Sequence, residues 1–234
     1  MKIAVVSATS SSPNGAQLKS LTMAERAFKA GGADVKCFPL WENKRGLSEV
    51  YNDFLNNHQA VDKHEGFDCV VFVHDDLEIR DTTIAEQLEN AQKEGCDIVG
   101  VAGAIGFSYG NPEVPTGWWS TPYAKRGCMV HPSASDPSAP DMEIPTVYGP
   151  APSNALVIDG AFIVLMNRGL ELRFDTRFKF HGYDVDLCLQ AYAKGMRTRV
   201  LPILCKHDSP GLGFRSPDFM EAQKMMIAKW FTRN

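Results

Sequence analysis

A chain of 234 residues, 44% apolar and 22% charged, is long enough to bury a full core as one domain and has the make-up of an ordinary soluble globule. Its formal net charge of -4 leaves no basic footprint, which favours neither nucleic acid nor anionic membrane as a partner; a polyanionic ligand would need local donors or a metal. Cysteines at 37, 69, 96, 128, 188 and 205 are scattered singly, without the C-x-x-C spacing of zinc or redox pairs, and read as small buried thiols of a reducing cytosol. The opening MKIAVV is too short for a signal-peptide core, and no apolar run approaches the roughly 20 residues of a spanning helix. The expected location is the cytoplasm, with which peripheral membrane attachment is still compatible.

KIAVVS is a first strand, followed by the small polar loop ATSSSPNG. Leu18, Leu21, Ala24 and Phe28 then recur at helical spacing, and Gly31-Gly32 ends that helix. DVKCFPL is a second strand, and LSEVYNDFLNNH a second helix with Leu47, Val50, Tyr51, Phe54 and Leu55 on its inner face. Val70 to Val73 form an apolar run without alternation, the mark of a strand buried on both faces. Asp81 can cap a third helix reaching about Lys93, and CDIVGVAG supplies a fourth strand. This alternation of strand and helix predicts a parallel sheet with helices on its faces. From Gly103 to Asn154 the pattern stops, and nine of the chain's 14 prolines fall there. Such composition forbids long helices or central strands and marks a lid or binding loop. ALVIDGAFIVLMN restores two strand-like runs around Asp159-Gly160. DVDLCLQAYAKG is a short helix stopped by Gly195, RTRVLPILCKH a strand, and SPDFMEAQKMMIAKWF an amphipathic terminal helix.

Polar groups collect where the buried runs end. VVFVHDDLEI closes on His74, Asp75 and Asp76, and the carboxyl end of a strand is where open α/β sheets bind ligands. Imidazole beside carboxylate suits a divalent cation; capping or plain solvation would account for the same triplet. HGYDVDLC puts Asp184 and Asp186 at a helix start, where the dipole favours carboxylates, and CKHDSPG puts His207 and Asp208 at another strand end. Capping explains each one singly, but not why all should follow buried elements. ATSSSPNG lacks both G-x-x-x-x-G-K-[ST] and G-x-G-x-x-G, which argues against a standard nucleotide cradle. It still lies beside the crevice, where Ser7 and Thr9 can meet a base or ribose. Trp118-Trp119 reads either as a local mini-core or as a flat face for a sugar ring. Asp159-Gly160 is either a bend between strands or a close backbone approach to a sugar. His131 and His181 read as solvated, without a role.

The succession FVHDDLEI, IDGAFIVLMNR, FDTRF, YDVDLCLQAYAKGMRTRVLPI and KHDSPG resembles the inverting GT-A glycosyltransferases, in particular a small bacterial, family-two-like branch. The resemblance runs from the first strand to His207. It implies an α/β GT-A fold with a mostly parallel central sheet and helices on both faces. It also implies a single domain over 1–234, made of a nucleotide-binding half (1–102), an acceptor-binding and catalytic half (103–215) and a terminal helix (216–234). The implied activity, of the hexosyltransferase kind, is metal-dependent, inverting transfer from a nucleotide-diphosphate sugar to a hydroxyl of a glycan, glycolipid or oligosaccharide, as in polysaccharide biosynthesis. Mn2+ or Mg2+ is the implied cofactor, a UDP-sugar the foremost donor, and nucleic acid no partner.

The family's D-x-D motif falls on His74 and Asp76, with Asp75 between them at the nucleotide sugar. Histidine thus replaces the first aspartate, as a metal ligand or as support for one. The late histidine that completes the metal site falls on His207. The Asp of the family's E-D pair, its catalytic base, falls on Asp184, its Glu partner on Tyr183, and Asp186 follows as a supporting carboxylate. Asn52 matches an asparagine near the nucleotide, and Glu42 or Asn43 lies where the second strand meets the base. In the family acceptors bind under the region that corresponds to Trp118 and Trp119, which with Asp159 and Gly160 are the implied acceptor site. Two rivals stay open. A non-catalytic GT-A domain that binds nucleotide sugar or glycan is suggested by the replaced Asp and Glu. A nucleotidyltransferase is disfavoured by the lack of a glycine-rich, lysine-bearing N-terminal loop.

Overall fold

The computed structural model describes residues 1–13, 18–59, 66–108, 113–132, 142–209 and 216–232. Asn14 and Gly15 of the first loop, Pro210 and Gly211 of the closing motif, and 109–112 and 133–141 of the proline-rich segment lie outside the described residues.

β1 (Lys2–Ala8), α1 (Lys19–Ala30), β2 (Asp34–Leu40), α2 (Leu47–Gln59) and β3 (Cys69–Val73) follow the sequence reading. Leu21, Ala24 and Phe28 make the buried face of α1, and Gly32 takes the left-handed backbone, φ 76°, just beyond its end. On α2, Tyr51 and Phe54 pack against Phe72 of β3, with ring centroids 4.3 and 6.4 Å apart. The chain continues through β4 (Leu77–Ile79), α3 (Ile84–Lys93), β5 (Ile98–Gly100), β6 (Ala102–Ala104), β7 (Lys125–Pro132) and β8 (Glu143–Gly149). It ends with β9 (Ser153–Ala155), β10 (Val157–Ile158), β11 (Phe162–Met166), α4 (Tyr183–Ala193), β12 (Thr198–Val200), β13 (Cys205–His207) and α5 (Pro217–Trp230). The N-cap of α3 is Thr83 and not the expected Asp81, which sits two residues earlier and accepts from the Thr83 N–H at 2.8 Å and from Gln87 at 3.0 Å.

The central sheet has seven strands in the order β2-β1-β3-β11-β5-β12-β9. β1 pairs parallel with β2 and β3, and β5 with β12, while β11 and β9 run antiparallel to their neighbours. The sheet is mostly parallel, as expected, with an antiparallel strand set into its middle. Both β3 and β11 are buried along their whole length, which requires cover on both faces.

Between 103 and 154 the described residues are not structureless, and the expectation of no central strand fails. β7 and β8 form a long antiparallel pair within a second, six-stranded sheet of order β10-β6-β7-β13-β4, with β8 joined to β7 alone. The prolines sit where a ladder tolerates them: Pro132 ends β7, Pro145 lies in the edge strand β8, and Pro122 opens a 3-10 turn. Two predicted strands are also split. CDIVGVAG breaks at Val101 into β5 and β6, and RTRVLPILCKH breaks around Pro202 into β12 and β13, each half joining a different sheet. The two sheets therefore meet along a seam that the chain crosses in short steps. All six cysteines are free, and no helix among the described residues is long and apolar enough to cross a membrane.

Candidate active site

Two of these crossings lie side by side. From β3 the chain turns through His74-Asp75-Asp76 into β4, and from β10 it turns through Asp159-Gly160-Ala161 into β11; the His74 N–H donates to the Ala161 carbonyl at 3.0 Å. β13 pairs antiparallel with β4, placing His207 opposite Leu77, and the Asp208 N–H donates to the Asp76 carbonyl at 2.9 Å. Gly182, at φ 79°, makes the left-handed step into α4 and so delivers Tyr183 and Asp184 to the same place. The resulting cleft is lined by His74, Asp159, Gly160, Asp184, His207, Trp118 and Trp119. Phe180, His181 and Tyr183 add to its wall, and Phe219, Gln223 and Met226 of α5 close it.

His74, Asp76 and His207 each offer one ligand atom, all within 4.8 Å of one another. Asp76 Oδ1 and His207 Nε2 lie 3.2 Å apart, an ion pair when the imidazole is protonated. A carboxylate oxygen and imidazole nitrogens converging on one small volume are a donor set that fits a divalent cation. Burial alone would lower the pKa of His207, but the Asp76 carboxylate, with Asp159 and Asp208, carries it above the ordinary value. His74 moves down, through burial and the neighbouring His207, which favours the neutral ring that a metal requires.

Burial, helped by the Asp159 carboxylate, pushes Asp184 up to about 7, against the backbone N–H groups of Val185, Asp184 and Gly160. That is the range in which a carboxyl group can take a proton at neutral pH. Tyr183, only 2% exposed, stands beside it where the resemblance put a glutamate. Its hydroxyl donates to the Gly160 carbonyl at 2.9 Å and lies 2.9 Å from His74 Nε2. A Cβ added to Gly160 would come within 2.6 Å of that hydroxyl. The close approach at Gly160 is thus to the phenol of Tyr183. Trp118 meets the rings of Trp119 and Tyr148 edge-on at 5.9 and 5.3 Å. The pair is a mini-core and a cleft wall at once, Trp119 reaching Phe219 at 5.8 Å.

Other expected site residues fall elsewhere. Asp186 is fully buried and faces α5, accepting from Gln190 and Trp230 at 2.8 Å and pairing with Lys229 at 2.6 Å. Its carboxylate is spent on holding the terminal helix. Asn52 is equally committed: its amide donates to the Phe174 carbonyl and accepts from the Phe174 N–H, both at 2.8 Å. Glu42 and Asn43 line a separate hollow beside α2. Ser7 and Thr9 are buried at the end of β1, Thr9 accepting from the Ser11 N–H at 3.2 Å, and Asp75 is exposed on its turn. Neither His131 nor His181 is freely solvated: His131 lies 6.1 Å from the His207 ring, and His181 lines the cleft. Sequence reasoning missed Gln223, which is buried and clamps the tryptophan-bearing segment by accepting from the Thr116 N–H at 2.7 Å and donating to the Val114 carbonyl at 3.0 Å. A glutamine among the apolar positions of an amphipathic helix was its only signal.

No protein-family model and no curated protein matches the chain. Solved structures do. GalNAc-T7 with UDP, GalNAc and Mn2+ superposes with a TM-score of 0.51 at 11% identity, over 98% of this chain and 48% of that one. The fold is GT-A. The mannosyltransferase PcManGT from Pyrobaculum calidifontis, in complex with GDP-Man and Mn2+, gives 0.49 at 12% identity over 91% of this chain and 58% of that one. TarS of S. aureus gives 0.49 at 16% identity over 98% and 39%. The chain thus spans about half the length, between 39% and 58%, of these three proteins.

Proposed function

We propose that this GT-A domain is a metal-dependent, inverting glycosyltransferase that moves a sugar from a nucleotide-diphosphate donor, foremost a UDP-sugar, to a hydroxyl of a glycan, glycolipid or oligosaccharide. The observation that carries this is the convergence of His74, Asp76 and His207 on one small volume, in a cleft that also holds Asp184 and an aromatic wall. His74, Asp76 and His207 would hold Mn2+ or Mg2+, which when bound neutralises the charge developing on the leaving diphosphate. Asp184 accepts the proton of the acceptor hydroxyl as the new bond forms, since a neutral hydroxyl is a poor nucleophile. A single displacement inverts the anomeric centre without a covalent sugar on the protein. The walls from Trp119, Phe180 and Phe219 offer apolar faces to a sugar ring and exclude water. Six free cysteines support a reducing, cytoplasmic setting.

Titration calorimetry with the diphosphates of uridine, guanosine, cytidine and thymidine, with and without Mn2+, tests the reading. One nucleotide should bind in a cation-dependent way, and the matching nucleotide sugar should be transferred or hydrolysed. Cation-independent binding, or none, would defeat it. Binding without transfer or hydrolysis would instead favour a non-catalytic GT-A domain, a reading fed by tyrosine at 183 in place of the glutamate.

A further inference from the structure

The hydroxyl of Tyr183 has one proton and two neighbours. Gly160 O can only accept, so the phenol proton goes to it, over 2.9 Å. What remains toward His74 Nε2, also at 2.9 Å, is an oxygen lone pair, and the contact is satisfied only if Nε2 carries a hydrogen. From this we infer that Tyr183 is a positioning residue for the cation site: it fixes His74 in the Nε2–H tautomer and leaves Nδ1 as the ring's free lone pair. The inference rests on the cation reading above, because a neutral imidazole offers a metal only its unprotonated nitrogen. It also assigns a purpose to the tyrosine that replaces an acidic residue. A carboxylate could accept from His74 but could not also donate to a carbonyl, whereas a phenol does both.

The surroundings hold the relay in place. The ring of Tyr183 packs against Tyr51 and Phe174, with centroids at 6.3 and 5.8 Å, and the missing side chain at Gly160 gives the hydroxyl its room. Partners of this sort on the far nitrogen of a ligating histidine set its orientation, and their loss typically weakens metal binding by about 10- to 100-fold.

Nitrogen NMR of histidine-labelled, metal-free protein at pH 8 reads the tautomer directly, and Mn2+ calorimetry reads the affinity. His74 should show a protonated Nε2 and a bare Nδ1 in the wild type. Tyr183→Phe keeps the packing ring; in it the two tautomers should mix and Mn2+ should bind about 10-fold or more weakly. Gly160→Ala, whose Cβ would meet the Tyr183 hydroxyl first, at 2.6 Å, and the Asp184 carboxylate at 3.2 Å, should shift both readouts the same way. A wild-type His74 protonated at Nδ1 would overturn the inference. So would a phenylalanine variant with unchanged tautomer and affinity. A wild type with the expected tautomer that takes up no cation would defeat the metal reading of the site while leaving the Tyr183–His74 relay standing.

Discussion

Asp184 is held under two opposed demands. Its burial favours the protonated form, with a pKa near 7, yet the proposed chemistry needs the carboxylate. Transfer, read as kcat/KM, should therefore rise with pH through about 7, and Asp184→Asn should lower it by about 100- to 10,000-fold while nucleotide affinity stays nearly unchanged. Stability should run the other way. The folded pKa lies above the unfolded value of 3.8, so the native state binds more protons and loses stability as pH climbs from about 3.8 to 7. In urea melts at pH 8 the metal-free asparagine variant should be more stable than the wild type, on the order of 2–3 kcal/mol after discounting for partial exposure. The two should converge below pH 4. A variant no more stable at pH 8, or one that still turns over, would rule out this account of Asp184. Sequence reasoning assigned both carboxylates at the start of α4 to the site, Asp184 as base and Asp186 as its support; the structure sets Asp184 in the cleft and turns Asp186 to α5. Asp184 and Asp186 are two residues apart, about 200° around a helix, so one faces the cleft and the other must face the core. Only the packing of α5 decides between them, and nothing local encodes it.

The terminal helix is where element-scale reasoning fell short. Its amphipathic pattern predicted burial but not that its polar residues would build the cleft. Lys229 and Trp230 converge on Asp186 from one end of α5, and Gln223 grips Thr116 and Val114 from its middle. The two grips should have separable consequences. Asp186→Ala takes the acceptor from Trp230 and Gln190 and one of two partners from Lys229, which keeps Asp175 at 2.8 Å; it should cost about 1–3 kcal/mol, seen as a lower urea midpoint. Gln223→Leu keeps the helix apolar but leaves a backbone N–H and a carbonyl without this partner. It should cost about 1–3 kcal/mol and raise KM for the acceptor more than it lowers kcat, because the segment with Trp118 and Trp119 loses its anchor. If acceptor KM is unmoved, those tryptophans are a mini-core only. The proline-rich stretch misled for a related reason. Proline forbids a strand only where a ladder needs its N–H, and at a strand end or in edge strand β8 no such need arises. Edge and centre are properties of the assembled sheet.

Across the whole molecule the proposed cation site sits on the seam between the sheets. His74 and Asp76 occupy the crossing from β3, in the first sheet, to β4, in the second, and His207 ends β13 of the second. The alternation of strands and helices made the central sheet readable, but the second sheet was hidden, since crossings as short as Val101 carry no turn residues to announce them. A cation held there would tie the β3–β4 crossing to β13 and stabilise the fold as a unit, because an unfolded chain does not keep these three side chains together. At about 100 times its dissociation constant it should add about 2.7 kcal/mol. In a chain of this size that raises Tm by roughly 5–10 °C. Protons compete for the same nitrogens, and His207 holds its proton more firmly than an ordinary histidine. The Tm gain should therefore be full above the raised His207 pKa and shrink as pH falls through it. His207→Ala should remove most of the gain at every pH. A gain that survives the substitution, or does not respond to pH, would place the cation elsewhere on the protein.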